Sequence, residues 1–454
     1  MAIVMSQEIS KDFVKDLQQA LEDGQPGPFR PYLEEAHPAD LAEILPQLDQ
    51  PQGEQLLDLL PDATEADVLM ELDAEQRSKF LETRTRLHLA VNLVEYLDSD
   101  DAADLLNELP EERMKEVLAS LEDQEQAREL AQLLVYPEDT AGALMGTELI
   151  KVNHHWKVLQ CVKEMRKQAE DIDQVHAIYV VDDHNKLLGT LSLKKLLTSS
   201  TQLPIAEVYE NKVISVEATD DAEIAARDMQ KYDLIVMPVV DALGHLLGRI
   251  TIDDVVDYIR DEAREDYNLA SGITDEVSGD EGVWRLTRAR LPWLLIALGG
   301  GLVAASILGR FETQLHNLPK MAFFMPLIAA MGGNVGVQSS AIIVQGLAKQ
   351  SLMGTTLQRL IKEFSVALLN GFVLGGLIIG LGLLMGFSLP LCLTVASALL
   401  AVVLVAALIG TFVPLILHHY SIDPALATGP FITTLNDITG LFIYFSIGKI
   451  LLGV

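Results

Sequence analysis

The stretch DPALATGPFITTLNDITG, residues 423–440, opens an apolar segment near the end of the chain. In the sequence between Asp423 and Lys449, Asp437 is the one charged residue. About 20 apolar residues cross a bilayer, so the sequence predicts a membrane span with Asp437 near mid-depth. A carboxylate there costs at least about 2.5 kcal/mol and normally faces a cavity, which makes Asp437 a candidate functional residue. The alternative is a structural carboxylate bonded to a neighbouring helix.

Oxygen-bearing side chains lie close to Asp437 in the sequence. Thr433, Thr434 and Asn436 precede it, and Thr439 follows it. Hard cations prefer oxygen ligands of this kind. We therefore expect a cation-binding site in this span.

Charge is distributed unevenly along the 454 residues, of which 65 are acidic and 33 basic. Four acidic and nine basic residues lie from Trp284 onward, so the chain before Trp284 carries a net charge of −37 and the rest +5. This pattern indicates an acidic soluble half joined to a membrane half. Such acidity disfavours nucleic acid and favours cations. Two cysteines, Cys161 and Cys392, and an N-terminus without signal-peptide features are typical of a cytoplasmic soluble half.

Residues 6–140 are predicted to be an all-helical domain. Apolar residues recur there at three- and four-residue spacing, and loose echoes between segments suggest short helices stacked as a superhelix. Acidic residues occupy the opposite faces, notably Asp98, Asp100, Asp101 and Asp104. The alternative for these residues is an ordinary solvated face.

A sequence repeat comes next. VDDHNKLLGTLSL, residues 181–193, recurs as VDALGHLLGRITI, residues 240–252, and each copy predicts strand, turn, strand and helix. This α/β repeat resembles a tandem pair of cystathionine-β-synthase-type (CBS) modules, over residues 141–252. Such pairs often bind adenine nucleotides through a Ser/Thr-x-x-Asp ribose contact, present in the second copy as Thr251 and Asp254. The resemblance implies at most one nucleotide site, with ATP as the candidate ligand, or a regulatory pair without nucleotide.

Residues 253–283 are predicted to be an acidic connecting helix followed by a linker that begins near Ser271. Residues three or four apart share a helix face, so the acids form two ridges. Like charges this dense destabilise a helix unless cations shield them, and we therefore expect bound divalent ions. The alternative is a solvated acidic helix. The two ridges are Asp254, Asp257 and Asp261, and Glu262, Glu265 and Asp266.

Residues 284–454 are predicted to be a membrane domain of five spans. The first covers about 291–309, and the second lies between Lys320 and Lys349. Residues 364–422 contain no Asp, Glu, Lys or Arg and suffice for two spans, with a break near Gly386–Pro390. The fifth span holds Asp437. Because basic residues mark cytoplasmic ends, we expect a cytoplasmic N-terminus and an outer C-terminus.

The second span is unusually polar and rich in glycine. It contains Pro326 and then GGNVGVQS from Gly332 to Ser339. Non-helical backbone at membrane depth is tolerated where it lines a water-filled cavity, so we expect an interrupted helix whose freed carbonyls face a hydrated cation. Gly429-Pro430 predicts a similar interruption in the fifth span. The alternative is that these glycines serve packing alone.

The chain resembles the MgtE-type magnesium channels and transporters over essentially its full length. The resemblance rests on the order of the domains and on two motifs, Pro326…Gly332-Gly333-Asn334-x-Gly336-x-Gln338-Ser339 and Asp423-Pro424-Ala425…Pro430…Asp437-x-Thr439-Gly440. The resemblance implies a homodimer with Mg²⁺ bound at Asp437 in the pore, and cytosolic domains that sense Mg²⁺ and close the pore. Gly429 and Val337 depart from the family pattern. The implied pore residues are Asp437, Asn334, Gly332, Gly333, Gln338, Thr433 and Asn436. The implied sensor residues are Asp67, Asp100, Asp104, Glu223, Asp233, Asp254, Asp257, Glu262 and Glu265.

The predicted function is therefore import of Mg²⁺, which is both substrate and regulator, across the plasma membrane. No partner is expected besides a second copy and the lipid bilayer. Cobalt, nickel or manganese are alternative substrates, since oxygen-lined pores tolerate several divalent ions. A membrane metalloprotease is disfavoured because none of the ten histidines is followed by Glu, and no ATP-driven engine is expected without a Gly-x-x-x-x-Gly-Lys-Ser/Thr loop.

Overall fold

The computed structural model describes residues 11–170, 172, 174–274, 277, 282–348, 355–420, 422–427 and 429–453. The chain divides into two compact units, Met1–Ile259 and Arg260–Val454, each of which is described by itself.

The first part of the first unit is all-helical and superhelical, as predicted. Leucines at helical spacing supply a continuous core, in which Leu41, Leu69, Leu93 and Leu105 are fully buried. Short 3₁₀ and π turns at Leu45–Gln47 and Leu89–Val94 join neighbouring helices. The α-helices are α1 Lys11–Glu22, α2 Arg30–Glu35, α3 Pro38–Ile44, α4 Gln50–Leu57, α5 Asp62–Met70, α6 Ala74–Thr83, α7 Arg86–His88, α8 Ser99–Asn107, α9 Glu111–Leu118 and α10 Gln124–Leu133.

The sequence repeat folds as two three-stranded sheets of the same topology, which confirms the predicted α/β pair. In each sheet the first two strands are parallel and the last two are antiparallel. The hairpin turns meet at a bridge between Lys186 and His245, beside Asn185 and Gly244, which both have positive φ. The elements are β1 Ile150–Asn153, α11 Val158–Gln168, β2 Ile178–Val181, β3 Leu187–Leu191, α12 Leu193–Thr198, β4 Val216–Glu217, α13 Ala222–Tyr232, β5 Val236–Val240 and β6 Leu246–Thr251.

The connecting helix α14 runs from Ile252 to Ser271, which confirms the long acidic helix. Half of the predicted linker, residues 275, 276 and 278–281, lies outside the described residues. Just after α14, Thr274 bonds to the backbone oxygen of Ala289 through both its amide and its hydroxyl group, at 3.0 and 2.9 Å.

The second unit contains five helices that are long and apolar enough to cross a membrane, as predicted. The fourth, α19, packs against three others and holds more buried residues than any other helix described in this unit. The predicted break between the third and fourth spans is confirmed at 385–388. The helices are α15 Val283–Arg310, α16 Glu312–Asn317, α17 Met325–Ala348, α18 Thr356–Leu384, α19 Leu389–His419 and α20 Gly429–Leu452, with 3₁₀ turns at Pro319–Phe324 and Pro424–Ala427.

The predicted interruptions of the second and fifth spans are wrong. Helix α17 continues unbroken through Gly332–Gly336, because these glycines meet other helices: a side chain at Gly336 would overlap the Asn436 amide. Gly429-Pro430 marks the start of α20, where a proline lacks only an amide that has no intrahelical partner. The carbonyls of α17 are therefore used within the helix and are not freed toward an ion.

Candidate ion pathway and acidic cluster

Asp437 lies on α20, half-buried, where α20 packs against α17. A Cβ atom at Gly333 would lie 3.9 Å from Oδ1 of Asp437 and 3.5 Å from Cγ2 of Thr433. The glycine therefore leaves space beside the carboxylate. The structure thus brings together residues from the two motifs that the sequence singled out, although these motifs lie far apart along the chain.

Asn334 and Gln338 are exposed on α17 of the single chain. They are four residues apart and so share one face of the helix. The exposed amides belong to a helix that is apolar enough to span a membrane. In hydrocarbon they would need polar partners or water, which is consistent with an aqueous pathway along this face.

Asn436 differs from its neighbour Asp437 because it is only 1% exposed. Its amide packs on the backbone at Gly336, and within the described part of the chain neither polar atom of that amide has a hydrogen-bond partner. Thr433 is partly buried, and its hydroxyl donates to the backbone oxygens of Gly429 and Pro430, at 3.1 and 3.0 Å. The lone pairs of that hydroxyl oxygen stay free to accept, so Thr433 keeps its capacity to face a cation.

Gly429 explains one departure from the family pattern. Its φ is +55°, and a side chain there would overlap the backbone oxygen of Ala270 near the end of α14. A Cβ atom at Gly272 would likewise lie 2.6 Å from Pro430. Glycine at position 429 thus allows the connecting helix to contact the first turn of α20 directly.

In the first unit, three carboxylates form a cluster. One oxygen each from Asp98, Asp100 and Glu148 lie within 4.8 Å of one another. Ser99, the first residue of α8, holds Glu148 in place: its amide and hydroxyl groups both donate hydrogen bonds of 3.0 Å to the Glu148 carboxylate. The arrangement gives a divalent cation several carboxylate oxygens at once.

Burial and the charges of neighbouring acids raise the pKa values of three aspartates on α8, Asp100, Asp101 and Asp104. Burial, followed by the charges of Asp254 and other acids, raises the pKa of Asp100 well above its usual range. The same causes raise the pKa of Asp101 to about 7. Asp104 reaches the surface, but its surroundings partly desolvate it and raise its pKa to about 6, against the opposing charge of Arg77. Such acids bind protons or cations readily.

A cavity of about 400 Å³ opens beside this cluster, a size typical of small-ligand sites. The candidate nucleotide residues line it, and Asp254 accepts hydrogen bonds from the Thr251 amide, at 3.1 Å, and from the Thr251 hydroxyl. Arg249 contributes a positive charge to the lining of this cavity, and its Nη2 lies 3.7 Å from Oδ2 of Asp98. The lining residues are Asp98, Asp100, Asp101, Glu148, Ile172, Gln174, His176, Arg249, Thr251, Ile252, Asp253 and Asp254.

The predicted sensor residues divide into two groups. Asp100, Asp104 and Asp254 form the first group, because the charge of Asp254 adds to burial in raising the pKa values of Asp100 and Asp104. The other six are exposed on helix surfaces or, for Asp233, in the left-handed cap that ends α13. They are Asp67, Glu223, Asp233, Asp257, Glu262 and Glu265.

Sequence reasoning missed Glu148, which lies in a loop before β1 where no periodicity or motif marks it. It also missed the proximity of Asp266 on α14 to Asp423, whose charge adds to burial in raising the pKa of Asp266. Both of these residues were identified in the sequence, Asp266 in an acidic ridge of the connecting helix and Asp423 at the start of the last apolar segment. The sequence did not predict that they lie close together.

Five helices long and apolar enough to cross a membrane, with a carboxylate where two of them pack, and a first unit with clustered acids are the features of a membrane transporter of cations. Residues 325–447 match the divalent cation transporter family MgtE, and residues 36–139 match the MgtE intracellular N domain. CBS domains match at 141–201 and 205–261. The chain belongs to the MgtE family.

Curated relatives agree over nearly their whole lengths. The magnesium transporter MgtE of Bacillus subtilis is 34% identical over 94% of both chains. That of Thermus thermophilus is 36% identical over 96% of this chain and 98% of its own. A crystal structure of the cytosolic domain of the Mg²⁺ channel MgtE in complex with ATP is 35% identical, with a TM-score of 0.51, over 54% of this chain and 99% of that one.

Proposed function

We propose that the chain imports Mg²⁺ down its electrochemical gradient along a pathway formed by α17 and α20. The observation that carries the proposal is the position of Asp437 beside the space left by Gly333, within helices too apolar to hold an idle carboxylate. Relatives named as magnesium transporters support Mg²⁺ as the ion. The residues proposed to line the pathway are Asp437, Asn334, Gly332, Gly333, Gln338, Thr433 and Asn436.

Mg²⁺ gives up its waters reluctantly and usually contacts proteins through one or two carboxylates. A pathway with one carboxylate per chain and several neutral oxygen donors suits such a hydrated ion. A membrane potential that is negative inside supplies about 2.3 kcal/mol per charge per 100 mV, and twice that for a divalent ion. The potential alone is thus a sufficient driving force for import.

The proposed assembly is a homodimer in the plasma membrane, with the N-terminus in the cytoplasm and the C-terminus outside. The exposed amides of Asn334 and Gln338 support a second copy, because a facing α17 would cover them and enclose water between the copies. Basic residues before α15 support the orientation: Arg285, Arg288 and Arg290. Nucleic acid and other protein partners have no place in this proposal.

Mg²⁺ is also proposed to close the pathway from the cytosolic side. The chain before Trp284 carries a net charge of −37, so without cations its acidic surfaces repel one another. Mg²⁺ that bridges these carboxylates favours one of two arrangements of the connecting helix, a ligand-biased switch. The contact of Ala270 with Gly429 supports this route, because the end of α14 then bears directly on the helix that carries Asp437. The sensor acids are those predicted from the sequence, with Glu148 added.

ATP is a second proposed ligand, favoured by the ATP complex of the related cytosolic domain and by the cavity at Thr251 and Asp254. The acidic lining predicts that ATP binds as its Mg²⁺ complex, since the free tetra-anion meets like charges. Equilibrium binding of ATP with Mg²⁺ and with a chelator tests this. Equal affinity in both would contradict an acidic site.

Uptake into proteoliposomes tests the proposed function. Wild type should admit Mg²⁺ at low cytosolic Mg²⁺ and close at high cytosolic Mg²⁺. The variant Asp257→Asn with Glu262→Gln and Glu265→Gln should close only at higher Mg²⁺, with Glu312→Gln, exposed and outside the spans, as a control. Competition by Co²⁺, Ni²⁺ and Mn²⁺ decides the substrate. Uptake of one of these in preference to Mg²⁺, or Mg²⁺ closure unchanged in the triple variant, would contradict the proposal.

A further inference from the structure

Glu363 is a second carboxylate within the membrane helices. It lies about two turns from the start of α18 and is half-buried. Oε1 of Glu363 accepts a hydrogen bond of 2.6 Å from the hydroxyl of Ser339 on α17. Glu363 directly precedes the charge-free residues 364–422, and neither the ion pathway nor the acidic cluster uses it.

The Ser339 end of this bond is tightly packed. Ser339 is 3% exposed, and a Cβ atom at Gly410 on α19 would lie 3.1 Å from its Cβ. The same Gly410 approaches the backbone oxygen of Gly336, so α17 and α19 are close together along this turn. Ser339 therefore has little freedom to leave its place while Glu363 holds its hydroxyl group.

The bond joins two helices that pack mainly on a third. Both α17 and α18 lie extensively against α19, and their packing on each other is slight. The loss of a buried hydrogen bond leaves its remaining partner unpaired, so removing Glu363 would cost the buried Ser339 hydroxyl this acceptor. The Ser339–Glu363 bond is thus a direct tie between α18 and the helix that carries Asn334 and Gln338.

We propose that Glu363 is a positioning residue for the ion pathway. Through Ser339 it fixes the rotation and height of α17, so that Gln338, next in sequence to Ser339, and Asn334, one turn further, face the ion. The inference rests on the proposed function, in which α17 lines the pathway. It assigns a role to a carboxylate that does not itself touch the ion.

Glu363 could act by positioning α17 or by attracting Mg²⁺ with its charge, and the two roles predict different activities for Glu363→Gln. A positioning residue needs an acceptor oxygen for the Ser339 hydroxyl, and Glu363→Gln keeps one at nearly the same place. A carboxylate that attracts Mg²⁺ by its charge would lose that action in Glu363→Gln as fully as in Glu363→Ala. Rescue by glutamine therefore separates the two roles.

The experiment measures Mg²⁺ uptake per incorporated, monodisperse full-length protein, for Glu363→Ala, Glu363→Gln, Ser339→Ala and the double alanine variant. Ser365→Ala is the matched control, because the Ser365 hydroxyl donates within its own helix, to the backbone oxygen of Ile361 at 2.8 Å. We expect each single alanine variant to fall about tenfold, the shift that losing one charge-assisted hydrogen bond gives a two-state equilibrium. The double variant should fall no further, and Glu363→Gln should stay close to wild type.

Several results would overturn the inference. They are single alanine variants with wild-type uptake, additive losses in the double variant, and a Glu363→Gln variant as slow as Glu363→Ala. If Glu363→Ala fails to fold, Ser339→Ala and Glu363→Gln still decide the matter. Asp437→Asn is measured beside them: if it conducts like wild type, the proposed pathway itself is wrong, and this outcome is distinct from a failure of the Ser339–Glu363 tie alone.

Discussion

Ser99 donates two hydrogen bonds of 3.0 Å to the carboxylate of Glu148, one from its amide and one from its hydroxyl group. The pair joins the first turn of α8 to the loop before β1, and Thr147 completes the contact with an amide bond of 2.7 Å to the Ser99 hydroxyl. The helical domain and the CBS pair are thereby linked beside Asp100. A cation bound here would strengthen a link that already exists.

Glu148 is predicted to be a cation ligand. Glu148→Gln removes a charge from the cluster with Asp98 and Asp100, so Mg²⁺ should bind the first unit at least about tenfold more weakly. Protection of the full-length protein from proteolysis, titrated with Mg²⁺, measures the change. Glu217→Gln, exposed on β4, is the matched control and should titrate like wild type. An unchanged midpoint for Glu148→Gln would remove this residue from the site.

Stability without Mg²⁺ should fall as pH rises. The folded pKa of Asp101 is about 7, above its value of 3.8 in an unfolded chain. The folded state therefore holds a proton that the unfolded state has lost, and the stability that this proton supplies disappears as pH rises from about 4 to about 7. Asp104, with a pKa of about 6, acts in the same direction.

Because Mg²⁺ binds deprotonated carboxylates, its stabilising effect should follow the opposite course. We expect Mg²⁺ to raise the unfolding temperature of the first unit, within the full-length protein, more at pH 8 than at pH 5.5. Thermal scans with Mg²⁺ or with chelator at both pH values measure this. A Mg²⁺ effect that is equal at both, or larger at pH 5.5, would contradict the binding of Mg²⁺ among the acids around Asp100.

Gly336→Ala should separate α17 from α20. The added methyl would overlap the Asn436 amide and lie near Ile432, so the variant should lose about 1–3 kcal/mol of stability and most Mg²⁺ uptake. Gly376→Ala on α18 meets nothing within 4 Å and should leave both unchanged or slightly raise the stability. Uptake and unfolding temperature are measured together. Wild-type behaviour of Gly336→Ala would mean that the two helices pack differently.

Gly429→Ala should weaken the coupling between the connecting helix and α20. Alanine is strained at φ +55°, and its side chain would overlap the backbone oxygen of Ala270. The variant should therefore keep its uptake at low cytosolic Mg²⁺ and close less completely at high Mg²⁺. Gly282→Ala, where nothing lies within 4 Å, is the control. Normal closure in Gly429→Ala would exclude this contact from the switch.

Local patterns predicted the elements correctly. Hydropathy alone identifies the five spans, and the internal repeat identifies the paired sheets, because both signals recur along the chain. The predicted break of the helix at Gly332–Gly336 was wrong. Glycine weakens an isolated helix, but here α17 is stabilised by packing against Asn436 on α20 and Gly410 on α19, which are both remote in sequence.

The candidate sites were predictable where one segment supplies the signal, as for Asp437 in its apolar span. They were not predictable where partners come from distant segments. Glu148 meets Asp100 from a loop outside the helical domain, and Glu363 meets Ser339 from a different helix. The roles of Asn436 and Thr433 as ion ligands stay predictions, since their contacts in the single chain are with the helices themselves.

The most direct test of the central claim is Mg²⁺ uptake into proteoliposomes by wild type and Asp437→Ala, at low cytosolic Mg²⁺ and equal protein density. We expect uptake by wild type and none by Asp437→Ala, since the ion then loses the carboxylate of its pathway. Uptake by Asp437→Ala at the wild-type rate would contradict a pathway at Asp437 and make it a structural residue.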